Sequence, residues 1–208
     1  MPESFGRALL PVLMLLALQQ FGSAGLIHLK AWLAPALVER AWQRGLSAGG
    51  KAVKPWPWAD TWPVARLEVP ALGVSQLVLA GDSGNALAFG PGHHSASAMP
   101  GAEGLALIGG HRDTHFAFLQ YVQRDQRIQL QLPTGEARYY RVRDMSIVNS
   151  RLDQPSGRQG REQLWLVTCY PFDAVFAGGP LRYVVIAEPE AEVLTGRPLA
   201  SSNGSLSL

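Results

Sequence analysis

The sequence is poor in cysteine and in charge, and both shortages exclude functions. A single cysteine, Cys169, among 208 residues leaves no second thiol for an intramolecular disulfide and rules out a cysteine zinc cluster. Charged residues make up only 16% of the chain, and the net charge is +2. Nucleic-acid-binding domains carry a strong basic excess, so we expect no nucleic-acid partner. The length is sufficient for one main domain with its own hydrophobic core.

One long stretch has no charged residue at all. It covers residues 8–29, and as a helix its 22 residues would be about 33 Å long, enough to cross a bilayer. We therefore predict an N-terminal transmembrane anchor over residues 1–30. A cleaved signal peptide is the alternative, because Gly22-Ser23-Ala24 is typical of a signal-peptidase site.

The segment after the anchor, residues 31–61, is predicted to form an amphipathic helix and then a linker rich in Trp and Pro. The apolar residues spaced for one helical stripe are Trp32, Leu33, Leu37 and Trp42. Such a helix is suited to a membrane surface. Residues 1–61 carry six basic and three acidic side chains, mostly after the anchor. By the positive-inside rule alone, this excess would place the main domain in the cytoplasm.

Residues 62–189 change to short β-type runs separated by Gly, Pro and Asp, which is typical of an all-β barrel or sandwich. A short helix is predicted over Phe116–Val122, a hairpin turn at Leu132–Gly135, and a disordered tail over residues 190–208. The predicted strands are Ala65–Val69, Val74–Leu79, Leu105–Gly109, Arg127–Leu132, Ala137–Val148, Gln163–Cys169 and Leu181–Glu188.

Three residues that can carry chemistry lie at the ends of different predicted strands. Cys169 closes one strand and is followed by Tyr170-Pro171, where proline stops the ladder. His111 follows a strand that ends in two glycines, and Arg182 begins the last strand. A thiolate nucleophile needs an imidazole to exchange protons, and a guanidinium can stabilise an oxyanion. Taken one at a time, each residue also fits an ordinary structural role.

Together, these segments resemble the sortase family. That family has a histidine in a Gly-His-Arg-type segment, a cysteine closing a T-L-x-T-C segment, and an arginine at the start of the last strand. The matching segments here are Gly110-His111-Arg112-Asp113, Leu166-Val167-Thr168-Cys169 and Arg182. Trp165 stands in place of the usual first threonine, which looks like the Gram-negative, proteobacterial branch. The segments Phe89–His93 and Pro100-Gly101 are also similar to the family.

The resemblance implies a closed eight-stranded β-barrel over residues 62–189 and a cysteine transpeptidase that needs no metal or cofactor. Cys169 would attack an LPxTG-like sorting signal to form an acyl-enzyme, and an amine would release it. His111 would move the protons and Arg182 would steady the oxyanion, with Asp113 and Thr168 as supporting residues. Because sortase substrates are exported proteins, we expect a single-pass inner-membrane protein whose domain faces the periplasm.

Two alternatives come from other classes of function. His111, Asp113 and His115 alternate as His-x-Asp-x-His and could form the metal site of a hydrolase. A membrane-tethered β-barrel that binds a ligand without catalysis is the other. The cysteine L,D-transpeptidases are less similar, because their Ser/His-Gly-Cys segment is missing here. The adjacent pair His93-His94 is a weak metal candidate, since neighbouring side chains on an extended chain point in opposite directions.

Overall fold

The computed structural model describes residues 14–15, 18–20, 32–153, 160–176 and 178–190. Most of the predicted anchor over residues 1–30 and the predicted tail after Glu190 lie outside these residues. Within the described part of the chain, no helix has both the length and the apolar character needed to cross a bilayer.

Eight strands form a closed barrel, as the resemblance implied. Around the barrel their order is β1-β2-β3-β4-β7-β8-β6-β5, and β5 pairs with β1 to close it. The strands are β1 (Pro63–Val69), β2 (Val74–Ala80), β3 (Gly92–His93), β4 (Leu105–Gly109), β5 (Arg127–Gln131), β6 (Ala137–Asn149), β7 (Gln163–Cys169) and β8 (Leu181–Pro189).

Helical segments accompany the strands. Helix α1 covers residues 32–47 and helix α2 covers Gly84–Leu87, while two 3-10 helices cover Pro70–Leu72 and Ala117–Tyr121. The second 3-10 helix confirms the short helix predicted over Phe116–Val122. The predicted hairpin turn between β5 and β6 is also confirmed, since the amide of Gly135 donates to the carbonyl of Leu132 at 2.9 Å.

Seven of the eight strands match the predicted runs to within about two residues, and β3 is the one that was missed. It pairs parallel to β2 and antiparallel to β4, so it connects the two. Gly92 is required there, because a Cβ on it would lie 2.3 Å from the carbonyl oxygen of Gly81. A strand of two residues shows no alternation, which explains why the sequence pattern did not reveal it.

The barrel interior is filled by alternate residues of each strand. On β7, Leu164, Leu166 and Thr168 are buried, whereas Trp165 and Cys169 lie on the outer face and are half-buried. This period of two is the expected pattern for a strand with one face on a core. It also means that Cys169 points away from the core and toward the outer surface of the sheet.

Helix α1 packs on the barrel through a face that includes Trp42 of the predicted apolar stripe but not Trp32 or Leu33. Val38 joins Leu79 of β2 in a small second core, while Trp32 and Leu33 remain exposed. The buried residues of the helix include Ala34, Val38, Ala41 and Trp42. Small alanine side chains allow the helix to approach the sheet closely, and two of the four residues of the predicted stripe, Trp32 and Leu33, are left exposed.

A bidentate ion pair fixes α1 to β1. Nη2 of Arg66 donates to both carboxylate oxygens of Glu39, at 2.6 and 2.8 Å. The same guanidinium lies 6.0 Å from the centre of the Trp42 ring. Burial raises the pKa of the Glu39 carboxyl, but hydrogen bonds from Arg66 and Gln43 outweigh it and lower the pKa overall. The N-terminal helix is therefore held to the barrel by both charge and packing.

Candidate active site

Cys169 and Arg182 lie directly opposite each other on neighbouring strands. Antiparallel pairing of β7 with β8 makes them cross-strand partners at the last residue of β7 and the second residue of β8. Side chains of directly opposite residues project to the same face, with Cβ atoms about 5 Å apart. The thiol and the guanidinium thus share one end of the sheet.

His111 is placed on the other side of Cys169 by the parallel pairing of β4 with β7. Gly109, the last paired residue of β4, is the partner of Val167, so His111 follows this pair by two residues on its chain just as Cys169 does on the other. The amide of Gly110 donates to the carbonyl of Val167 at 3.1 Å, which extends the pairing past the end of β4. Neighbouring strands are about 4.8 Å apart, so the three backbone positions span about 10 Å.

Thr168 strengthens this arrangement from inside the barrel. It is buried, and its hydroxyl donates to the carbonyl oxygen of Gly110 at 2.8 Å. The residue before the thiol is therefore tied to the residue before the imidazole. Asp113, the other predicted supporting residue, is exposed and forms no hydrogen bond or ion pair with any described residue.

The turn that carries His111 is anchored by Phe116. The ring of Phe116 is fully buried in the main core, and its amide donates to the carbonyl of His111 at 2.8 Å. A Cβ on Gly110 would lie 2.7 Å from this ring, so glycine is needed for the ring to fit under the turn. The sequence Gly-His-Arg-Asp-Thr-His-Phe is thus a compact turn with one aromatic anchor.

The second histidine of this turn is not suited to carry a proton. Burial lowers the pKa of His115, and the nearby charge of His111 lowers it further. His115 is therefore harder to protonate than an ordinary imidazole, and His111 is the exposed imidazole of the pair.

The metal-hydrolase alternative lacks a ligand set. Among the described residues, no three His, Cys, Asp or Glu side chains are grouped so that they could hold a metal ion, and these residues include His111, Asp113 and His115. His93 and His94 also have separate partners. Nε2 of the buried His93 contacts the carbonyl of Ala98 at 2.8 Å, whereas His94 pairs with Asp82 at 2.6 Å.

The loop between β7 and β8, residues 170–180, borders the three residues. At its base, Phe172 packs edge-on against Tyr183 at 5.3 Å, and Tyr170 stacks on Tyr183 at 6.3 Å. Burial raises the pKa of the Tyr183 hydroxyl, with a further contribution from Tyr170. At its tip, the side chains of Val175 and Phe176 are 89% and 84% exposed.

Two guanidinium groups bind backbone carbonyls of this loop. Nη1 of Arg182 donates to Gly179 at 2.6 Å and to Leu181 at 2.9 Å. Arg112 reaches the loop from the side of the His111 turn. No role was predicted for Arg112 from the sequence, although it directly follows the candidate histidine His111.

Comparison with known proteins agrees with this geometry. The family model for the sortase domain matches residues 67–190. The chain is 29% identical over 119 residues to sortase D of Bacillus subtilis (strain 168), an alignment that covers 57% of this chain and 60% of that protein. The chain thus aligns with less than two thirds of the length of that relative.

Solved structures show the same fold. A Clostridium perfringens sortase D5 transpeptidase superposes with a TM-score of 0.57 at 18% identity, covering 76% of this chain and 96% of that one. Sortase A from Corynebacterium diphtheriae gives a TM-score of 0.55 at 22% identity, covering 79% and 87%. The family match, the closed barrel and the strand-end placement of the three residues agree, and this chain belongs to the sortase family.

Proposed function

We propose that this protein is a cysteine transpeptidase that cleaves an LPxTG-like sorting signal in an exported protein and transfers the acyl group to an amine. The observation that carries the proposal is the direct cross-strand pairing of Cys169 with Arg182, with His111 at the end of the strand on the other side. Nucleophile, proton carrier and oxyanion donor then lie at the same end of three adjacent strands.

The proposed reaction has two steps. The Cys169 thiolate attacks the threonine carbonyl carbon of the signal, and the oxygen takes up negative charge beside Arg182. His111 gives a proton to the departing amine as the peptide bond breaks, which leaves a thioester on Cys169. An incoming amine then attacks the thioester, loses a proton to His111 and releases the thiolate. Water in place of the amine would give hydrolysis.

The donors of Arg182 support its part in this proposal. Within the described residues only its Nη1 atom forms hydrogen bonds, one to Gly179 of the neighbouring loop and one to Leu181 at the start of β8. Nη2 and Nε remain for a substrate oxygen. A guanidinium keeps its charge at all working pH values, which suits it to stabilise an oxyanion.

Mass spectrometry of the full chain in detergent tests the proposal. Incubation with an LPxTG-type peptide library should add an acyl group to Cys169, and added amine should remove it with formation of the aminolysis product. Cys169→Ala should abolish both while leaving thermal unfolding unchanged, since a half-buried thiol at a strand end contributes little packing. Turnover in Cys169→Ala would refute the proposal.

We also propose that the protein is anchored in the inner membrane with its barrel in the periplasm. Two observations support the anchoring, and the orientation follows from the proposed exported substrate. Trp32 and Trp58 are 77% and 79% exposed, and together with Leu33 they border an almost entirely apolar pocket of about 360 Å³ beside α1. Tryptophan is favoured at the bilayer interface, and this surface lies directly after the uncharged residues 8–29.

Membership in the Gram-negative branch is a further proposal. It rests on Trp165, which replaces the first threonine of the family segment and lies on the outer face of β7, the same face as Cys169. The curated relative comes from a Bacillus species, so the branch stays a prediction.

A further inference from the structure

We propose that Arg112 is a positioning residue that holds the turn carrying His111 against the loop after Cys169, so that imidazole and thiol keep a fixed separation. This inference rests on the proposed function and adds a residue to it. Two chain segments are involved: the turn Gly110–Phe116 and the β7–β8 loop over residues 170–180.

The contacts come from one side chain and reach three backbone carbonyls. Nη1 of Arg112 donates to Pro171 at 3.0 Å, and Nη2 donates to Ala174 at 2.5 Å and Phe176 at 3.3 Å. These acceptors are 59 to 64 residues away along the chain. Pro171 is two residues after Cys169, and Arg112 is the residue directly after His111.

No other hydrogen bond joins the two segments within the described residues. The bonds from Gly110 to Val167 and from Thr168 to Gly110 tie the strands together before the thiol, not after it. The tip of the loop gains nothing from burial, because Val175 and Phe176 are exposed. The Arg112 guanidinium therefore holds the tip of the loop in place, which core packing does not do there.

The geometry requires an arginine. A guanidinium has five N–H donors in a rigid planar fork, and two of its nitrogens together reach three carbonyls here. An ammonium is a compact point charge and cannot span the same acceptors. Because both terminal nitrogens donate to the loop, Arg112 is assigned as a positioning residue that acts through His111 and the loop.

The consequence for catalysis is a matter of placement. Proton transfer requires the imidazole within hydrogen-bond reach of the leaving amine, and a misplacement of about 1 Å can cost about a hundredfold in rate. Alkylation by a small reagent has no leaving amine to protonate, so it is less sensitive to that placement. Loss of the Arg112 hydrogen bonds should therefore slow acylation by a peptide and leave alkylation by a small molecule nearly unchanged.

The test compares Arg112→Gln and Arg112→Lys with the wild type as full chains in detergent. We expect Arg112→Gln to slow single-turnover acylation of Cys169 by an LPxTG-type peptide by about 10- to 100-fold. Alkylation of Cys169 by iodoacetamide should stay within about twofold, and Arg112→Lys should not restore acylation. The matched control is Arg124→Gln, because Arg124 is exposed and forms no hydrogen bond or ion pair with the described residues.

Hydrogen–deuterium exchange gives a readout that does not need activity. Arg112→Gln should raise exchange in residues 111–118 and 170–180 together, and Arg124→Gln should raise it in neither. Unchanged exchange in both segments, acylation within threefold of the wild type, or a parallel loss of alkylation would each overturn the inference. If the wild type is never acylated but Arg112→Gln still raises exchange in both segments, the proposed function is refuted. The link that Arg112 makes between the two segments would then still stand.

Discussion

Arg182 divides its guanidinium between two tasks. One nitrogen donates to the carbonyl of Gly179 in the β7–β8 loop and to that of Leu181 in β8, while the residue stands opposite Cys169. An oxyanion at the thiol would be a third acceptor. A planar guanidinium can donate hydrogen bonds to several acceptors in fixed directions. A lysine ammonium is a compact charge and can donate only to acceptors close to one point.

We therefore expect Arg182→Lys to lower the single-turnover acylation rate by about two to three powers of ten, the usual cost of losing an oxyanion donor. Thermal unfolding should hardly change, because the side chain is not part of the core. The measurement is acylation of Cys169 by a cognate peptide. If Arg182→Lys acylates as fast as the wild type, Arg182 is only a structural residue of β8.

The sequence predicted which residues would meet but not what surrounds them. Cys169, His111 and Arg182 were candidates because each lies where a predicted strand begins or ends, and the resemblance to sortases implied that they come together. The contacts of Arg112 could not be predicted, because its acceptors are backbone carbonyls that carry no residue signature. They come within reach only when two distant segments fold together.

At the scale of the element, β3 depends on a glycine. Gly92 has no room for a Cβ, which would meet the carbonyl oxygen of Gly81 at 2.3 Å and the Cα of Asp82 at 3.1 Å. We expect Gly92→Ala to destabilise the protein by about 1–3 kcal/mol, because backbone atoms would have to move and loosen the β2–β3 pairing. Urea unfolding measures this.

Gly84 is the matched control for that substitution. It begins α2, and a Cβ there would meet nothing within 4 Å. Gly84→Ala should be neutral or should stabilise the protein by about 0.4–1 kcal/mol through the unfolded state. Equal effects of the two substitutions would contradict the close approach at Gly92.

The docking of α1 should depend on pH through Glu39. Its pKa is lowered in the folded protein, so its ion pair with Arg66 stabilises the fold above the ordinary carboxyl pKa. That contribution is lost as the pH falls through the lowered value. At neutral pH we expect Glu39→Gln to cost about 0.5–1 kcal/mol, because the pair is only partly buried.

Thermal melts of the wild type and Glu39→Gln across acid pH would check this. The difference between their melting temperatures should shrink toward zero at low pH. Glu136→Gln is the control, because Glu136 pairs with Arg138 at 3.1 Å on the barrel and does not touch α1. A difference for Glu39→Gln that persists in acid would show that the carboxylate charge is not what matters.

Elements with a long alternating pattern were predictable, and those that depend on close approach were not. The strands from β4 to β8 bury one face, so their sequences alternate and gave correct positions. For α1 the sequence indicated one apolar stripe suited to a membrane surface and did not indicate which residues would contact the barrel. The structure buries Ala34, Val38, Ala41 and Trp42, since small side chains bring the helix near the sheet.

For the whole molecule, orientation in the membrane is open to a direct test. The charge excess of residues 1–61 and the proposed exported substrate predict opposite sides. We expect the barrel to face the periplasm. A reporter that is active only outside the cytoplasm, fused after Leu208, should be active, and a cytoplasm-only reporter should not. The reverse pattern would show that the charge asymmetry sets the topology.

The parallel pairing of β4 with β7 has a consequence for how the protein matures. Thr168 and Gly110 are 58 residues apart, so the two halves of the site meet only after a large loop has closed, which is a slow event. Until then the Cys169 thiol is not yet enclosed by the folded site. In the proposed periplasmic setting it would be exposed to an oxidising compartment, and the chain has no second cysteine with which it could form a disulfide. Oxidant encountered during folding is then expected to limit the yield of active protein.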